Sequence, residues 1–285
     1  MIKNIREFLV LKKILLFLVF CAFLACVYVF LTTPGTPPSY LATSDQISAS
    51  KPVEKTHEIY GIIQEINERN AKLQSLYVPT ISMKLKQKTV VKVEGTLYFQ
   101  KEKNFRLTVK SVLGQEMDIG SNPTHFWFWS KRMEPPHLFF AKHEDLDKAM
   151  LKTPLNPSWL IESMAVGYLD DKDVEVGQLK GNWIILQKRK SARGEDVVVA
   201  TLINAQNKTI MGNYLYNSAG KMIASSEVLD HYQINGVYIP KNIYITWYEE
   251  GVVMEWTMGQ PQMNVQIPES TWQIPNMPNK VEMSK

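Results

Sequence analysis

Along most of this chain the apolar residues recur with a period of two. Val91, Val93, Leu97 and Phe99 alternate with Lys92, Glu94, Thr96 and Gln100, and Phe105, Leu107 and Val109 alternate with Arg106, Thr108 and Lys110. Near the end, Val252, Met254, Trp256 and Met258 alternate with Val253, Glu255 and Thr257. Successive side chains on a strand face opposite ways, so each run has one dry and one wet side. Turn signals separate the runs: Lys103-Asn104, Gly114-Gln115, Asn122-Pro123, Arg193-Gly194, Asn207-Lys208, Ala219-Gly220, Asn235-Gly236 and Glu250-Gly251. The pattern predicts a mainly β protein of about ten or eleven strands with short antiparallel connections. Such connections favour one large, strongly curved sheet or an open half-barrel.

The period changes in three places. Ile59, Ile62, Ile63, Ile66, Leu73 and Leu76 make one stripe of a helix running from Thr56 to about Leu76, with Glu65, Glu68, Arg69 and Lys72 largely outside it and Pro79 as its stop. Glu144 to Asp171 reads as two short helices broken by Pro154 and Pro157. Asn156 or Ser158 can cap the second, which carries Trp159, Leu160, Ile161, Met164 and Val166. A sheet with a dry concave face and two sets of apolar helices can close on itself, the helices plugging the open side over an oily space. The third change is the run Ile14–Leu31, eighteen residues without a charge. Roughly 20 apolar residues cross a bilayer core, so this run is just long enough.

Lys12 and Lys13 precede that run and nothing basic follows closely, which puts the N-terminus in the cytoplasm and the rest outside. A cleaved signal peptide is the rival reading, without a good small-x-small cleavage site before the Pro-rich stretch. The expected organisation is a basic tail and transmembrane signal-anchor over 1–31, a Pro/Ser/Thr-rich tether over 32–55, and a single domain over 56–285 with its helical insertion at about 144–171. The expected location is the bacterial inner membrane, single-pass, with the domain in the periplasm. The alternative is lipidation at Cys26, within Phe23-Leu24-Ala25-Cys26, and attachment to the outer membrane.

Charge and cysteine content narrow the function. The 285 residues carry a net charge of +4, of which +3 falls before Thr32, so the exported part is nearly neutral and offers little to nucleic acid. Hydrophobic residues make up 45% of the chain, enough for one substantial core. Both cysteines, Cys21 and Cys26, lie in the apolar run, which leaves the domain no disulfide and no Cys metal ligand. The five histidines (His57, His125, His137, His143, His231) are scattered, without a His-Glu-x-x-His pair. Asp171-Lys172-Asp173-Val174-Glu175 starts like a calcium loop, but Val176 stands where the sharp turn needs Gly. No Gly-x-Ser-x-Gly and no phosphate-cradling loop occurs. A binding protein without catalytic residues, metal or cofactor is the expectation.

Several strand sequences resemble the lipoprotein-localisation family, the LolA/LolB-like half-barrels with a helical lid. Gly95-Thr96-Leu97-Tyr98-Phe99 followed by Phe105-Arg106-Leu107 is similar to that family's Gly-x-Leu-aromatic strand and the Phe of its next strand. Ser121-Asn122-Pro123-Thr124 leading into His125-Phe126-Trp127-Phe128-Trp129 is similar to its Ser-Asp-Gly turn and aromatic strand, and Val265-Gln266-Ile267-Pro268 to its last strand. The resemblance spans roughly His57 to Pro275. It implies binding of lipid acyl chains or lipoproteins, without chemistry, during transfer to the outer membrane. Lys101-Glu102 stands where the family's carrier has an Arg-Pro whose Arg latches the lid, which makes Lys101 the aligned latch candidate.

Physics agrees on the ligand class, since each buried methylene contributes about 0.8 kcal/mol. The residues expected to present dry surface to the ligand are Leu97, Phe99, Phe126, Phe128, Trp159, Leu160 and Met164. Two readings stay open for them: lining of a cavity, or a filled core. Trp247 and Trp256 are expected to pack in the core. The basic run Lys188-Arg189-Lys190 is expected as a solvated hairpin tip, with anionic headgroups as the sharper alternative. Beside the acyl-binding protein stand two other functions, an envelope-stress sensor working through an inner-membrane protein partner and a structural envelope protein.

Overall fold

The computed structural model describes residues 46, 50–52, 57–86, 90–101, 103–112, 114–145, 157–191, 194–249 and 251–283. The apolar run Ile14–Leu31, both cysteines, most of the tether and most of the first predicted insertion helix lie outside them. Among the described residues no helix is long and apolar enough to cross a membrane.

The period-two runs fold into one sheet of sixteen strands. A first meander comprises β2 (Ser75–Lys86), β3 (Val90–Gln100), β4 (Asn104–Ser111), β5 (Gly114–Ser121), β6 (His125–Ser130) and β7 (Leu138–Lys142). A second comprises β8 (Val174–Leu179), β9 (Asn182–Lys190), β10 (Asp196–Ile203), β11 (Ile210–Asn217), β12 (Met222–Ile234), β13 (Val237–Trp247) and β14 (Val252–Met258). The two join through antiparallel pairing of β14 with β2, where Trp256 stands opposite Met83. Three short pieces complete the sheet. β1 (Lys51–Pro52) extends the β8 edge, β15 (Gln262–Met263) pairs with β2, and β16 (Lys280–Glu282) lies parallel to β7. These pieces are two or three residues long and carry no readable period, which is one reason the sequence predicts fewer strands.

Two turns show the local logic. Lys180-Gly181 and Asn235-Gly236 each place two consecutive residues at positive φ, 50° then 79° and 50° then 78°. That is the two-residue hairpin whose twist matches the flanking strands.

Helix α1 (His57–Ala71) forms on the predicted stripe and buries Ile59, Ile62, Ile63 and Ile66. It packs on the second meander, against Val174, Val176, Trp183, Ile185, Ile203, Ile210 and Val228. The expectation that it reaches Leu76 is corrected: the helix stops at Ala71, Leu73 lies in the turn, and Leu76 opens β2 opposite Phe99. Leu73 and Leu76 continue a helical spacing but also start an alternation, and pairing with β3 decides for the strand. Pro79 therefore sits within β2, at a register shift between Val78 and Ile81 that accommodates its missing N–H. Helix α2 (Pro157–Ser163) is the second helix of the predicted insertion.

Candidate functional site

The sheet bends back on itself far enough that α2 touches both β5 and β11. In strand order β14 lies near the midpoint between those two, so α2 spans a trough whose floor is β14 and its neighbours. Alternation decides what lines it. Leu97 and Phe99 on β3 face the same way as Leu107 and Phe105 on β4, and Ile119 on β5 continues the row to Phe128 on β6. From the open side α2 and the turn after it add Trp159, Leu160, Met164 and Val166, and all of these belong to one buried apolar cluster.

All seven residues singled out from the sequence meet in this cluster, and none is more than 7% exposed. In the described state the trough is thus occupied by the protein's own side chains, with those of α2 inserted into it. Three cavities among the described residues are lined by other groups. One, of about 80 Å³, lies beside α2 against Gln187, Arg189, Thr201 and Asn213. That is room for a few waters only, whereas sites for drug-sized ligands run to ~300–1,000 Å³. The other two are surface hollows, of about 320 Å³ by Tyr98, Arg106 and Lys110 and about 550 Å³ by Lys103, His125, Lys142 and His143.

The polar contacts of α2 gather on the second meander. Asn213 Nδ2 donates to the Glu162 carbonyl at 3.0 Å, and the Arg189 guanidinium pairs with the Glu162 carboxylate. Burial pushes the Glu162 carboxyl up while Arg189 pulls it back. Helix α1 holds the turn that follows: Asn67 exchanges two 2.8 Å hydrogen bonds with the Leu169 backbone, and Asn70 Nδ2 donates to the Gly167 carbonyl at 2.9 Å. Ser163 Oγ bonds back to the Trp159 carbonyl at 2.7 Å.

Arg189 is thus no bare hairpin-tip charge. Lys188 and Lys190 pair with Glu175 and Asp196, while Arg189 shares the inward parity of Ile185 and Gln187 and reaches the helix. Strict alternation from Ile185 onwards is the sequence signal that finds it. Lys101 sits at the β3–β4 turn, half-buried, its N–H donating to the Gln74 carbonyl at 2.9 Å. Trp247 and Trp256 are buried in the same cluster as the seven.

The architecture has solved counterparts. A domain from Vibrio parahaemolyticus described as a putative outer membrane lipoprotein-sorting protein superposes with a TM-score of 0.53 at 9% identity, over 74% of this chain and 94% of that one. The fold is LolA-like. A DUF1329 family protein from Desulfovibrio piger gives a TM-score of 0.52 at 10% identity, over 75% of this chain and 95% of its own. A LolA superfamily protein from Nitrosomonas europaea gives 0.49 at 11% identity, over 74% and 97%. No protein-family model matches the sequence, and no curated protein matches it significantly. Helix α2 lies against that sheet between β5 and β11, with Trp159 and Leu160 in the buried apolar cluster.

Proposed function

We propose that this chain is an envelope protein that binds lipid acyl chains in the trough beneath α2, in lipoprotein sorting or lipid transport to the outer membrane. The observation that carries the reading is the cover itself. A seven-residue helix and the turn after it insert Trp159, Leu160 and Met164 into an otherwise continuous apolar trough, and the helix's polar ties cluster on the β9–β11 side. When the cover swings out, an acyl chain takes its place. Burying the three side chains is worth about 5–9 kcal/mol, whereas about fifteen methylenes of an acyl chain are worth about 12 kcal/mol. The exchange balances closely enough to be reversible, as a carrier requires. No bond is made or broken, and no metal or cofactor takes part.

The charge asymmetry around Ile14–Leu31 supports an inner-membrane anchor with the domain in the periplasm, and acylation at Cys26 is the alternative attachment. Lys101 stays in the proposal as a latch candidate, alongside Arg189. The test is mass spectrometry of lipids extracted from the purified full-length chain, native and Leu160→Glu or Phe128→Glu. Fatty-acyl species near one per native chain, lost in both variants, support the reading. Equal lipid in the variants removes these positions from the site.

A second reading has its own observation. The trough residues are almost fully buried by one another, which suits a structural envelope protein with a solid core. A native chain free of acyl species decides for it.

A further inference from the structure

One of the two surface hollows lies on the sheet face opposite the trough. Alternation turns Leu97 and Phe99 inward, so Tyr98 between them faces out, together with its register partners Tyr77 on β2 and Arg106 on β4. The Tyr77 and Tyr98 rings stack at 4.9 Å between centroids and 18° between planes. One face of the Tyr98 ring is thus covered, and the other looks toward β4. The Arg106 guanidinium does not close it, because its pair with the buried Asp118 carboxylate holds it over the Trp127 ring instead, at 6.0 Å. On that side lies the hollow of about 320 Å³, with Tyr98 in one wall. The turn Glu269–Trp272, packed on β4, supplies Ser270 and Thr271 to another.

The polar groups around this ring are fixed before any ligand arrives. Asp118 accepts from Arg106 Nε and Nη2, and Arg106 Nη1 holds the Thr271 carbonyl at 2.9 Å, which uses three of the five guanidinium N–H groups and leaves two. Gln115 Nε2 also donates to Asp118, at 3.1 Å, so its side-chain carbonyl oxygen stays an acceptor. Thr108 and Ser270 add hydroxyls, which both donate and accept. Charge is nearly balanced: Arg106 is neutralised by Asp118, and Lys110 at the rim has Glu94 opposite it in the register of β3 and β4. A hydrocarbon here would leave the polar groups unpaired, and an anion would find little net field. A pyranose ring meets every requirement, since its C–H face packs on an aromatic ring and its hydroxyls donate and accept around the edge. The volume, at the lower end of the ~300–1,000 Å³ of ligand sites, suits about one or two such rings. We infer that the outer face of the first meander carries a saccharide site, formed by Tyr98, Arg106, Thr108, Gln115 and the Ser270–Thr271 turn, and separate from the trough beneath α2.

The test is a ligand-observed NMR titration of the full-length protein in a polyoxyethylene detergent, which carries no sugar headgroup. The probes are maltose, lactose and N,N′-diacetylchitobiose, with sorbitol as a polyol that has the hydroxyls and no ring, and inorganic phosphate as a simple anion. At least one disaccharide is expected to bind about tenfold more tightly than sorbitol, the share of an aromatic platform. Tyr98→Leu should remove that advantage, a loss of about tenfold. Thr108→Val, a near-isosteric change at an outward-facing position, should weaken the same disaccharide about three- to tenfold. It keeps the test decisive where Tyr98→Leu costs folding through the lost stack with Tyr77. Binding of none of the three disaccharides, equal binding of sorbitol, or an affinity untouched by both substitutions overturns the inference. Displacement of the bound disaccharide by phosphate overturns it too, since the hollow would then be an anion site. None of these outcomes bears on acyl binding, which is read on the other face of the sheet.

Discussion

Among the carboxylates buried on the outer face of the sheet, Asp118 in the first meander and Glu227 in the second are treated oppositely. Asp118 on β5 is fully enclosed and saturated. Arg106 reaches it through Nη2 at 2.8 Å and Nε at 3.3 Å, Trp127 Nε1 at 2.9 Å, and Gln115 Nε2 at 3.1 Å. Glu227 on β12 is 4% exposed, with the Tyr214 hydroxyl as its side-chain donor, and burial pushes its pKa up to about 8. Asp118 is a charged knot that also fixes the C-terminal segment, because Arg106 Nη1 donates to the Thr271 carbonyl at 2.9 Å. Gly120 belongs to the same arrangement: a Cβ there would come within 1.9 Å of the Trp127 ring, so only glycine lets the indole lie over β5 to reach Asp118. Glu227 instead lies beside an apolar outer-face cluster of Ile184, Ala200, Leu202, Tyr214, Tyr216 and Met222, where a neutral carboxyl is the cheaper form. One meander is pinned by charge and the other tolerates a carboxyl by keeping it protonated.

The largest expected effect breaks the pinned side. Asp118→Ala leaves the Arg106 guanidinium without its carboxylate and the Trp127 indole without its acceptor, and removing one partner of a buried charge pair costs about 3–5 kcal/mol. Urea unfolding should register that loss, and a change below about 1 kcal/mol would mean that Asp118 is not what holds the face together.

A smaller effect sharpens the other side. Folded Glu227 keeps its proton to about pH 8, whereas an unfolded chain releases it near 4.5. Across that window the native state binds the extra proton, so stability is greatest at the acid end and falls as pH rises, by at most about 1.4 kcal/mol per pH unit. In Glu227→Gln this part of the slope should vanish in unfolding curves measured from pH 5 to 8. An unchanged slope would assign it to another group. The smallest effect concerns the cover. Its pair with Glu162 is partly exposed, so Arg189→Ala should cost only about 0.2–1 kcal/mol globally. Amide exchange over Trp159–Met164 should nonetheless quicken well beyond that of β13.

Much of this architecture was legible in the chain because alternation survives in its strands. Leu97 and Phe99, or Met254 and Trp256, announce their inward side, and Asn235-Gly236 announces its hairpin. The stripe of α1 was equally plain, but its end was not, since Leu76 fits both periods and only β3 resolves it. The seven trough residues were found from apolar strands and one Pro-broken helix. What the pattern hid was polar. Asp118 and Glu227 occupy positions that look like any wet face, and nothing local says that a C-terminal segment or an apolar cluster encloses them. Arg189 was masked by its neighbours Lys188 and Lys190, although its parity pointed inward.

The seam between the meanders has a consequence for biogenesis. β2 is synthesised early, yet one of its two main neighbours, β14, is among the last strands made, so a chain emerging from the ribosome carries an unsatisfied edge through most of its synthesis. Such an edge invites aggregation, and a closure that waits for distant strands is slow. Folding of the sheet therefore cannot be completed until the tail arrives to cover β2.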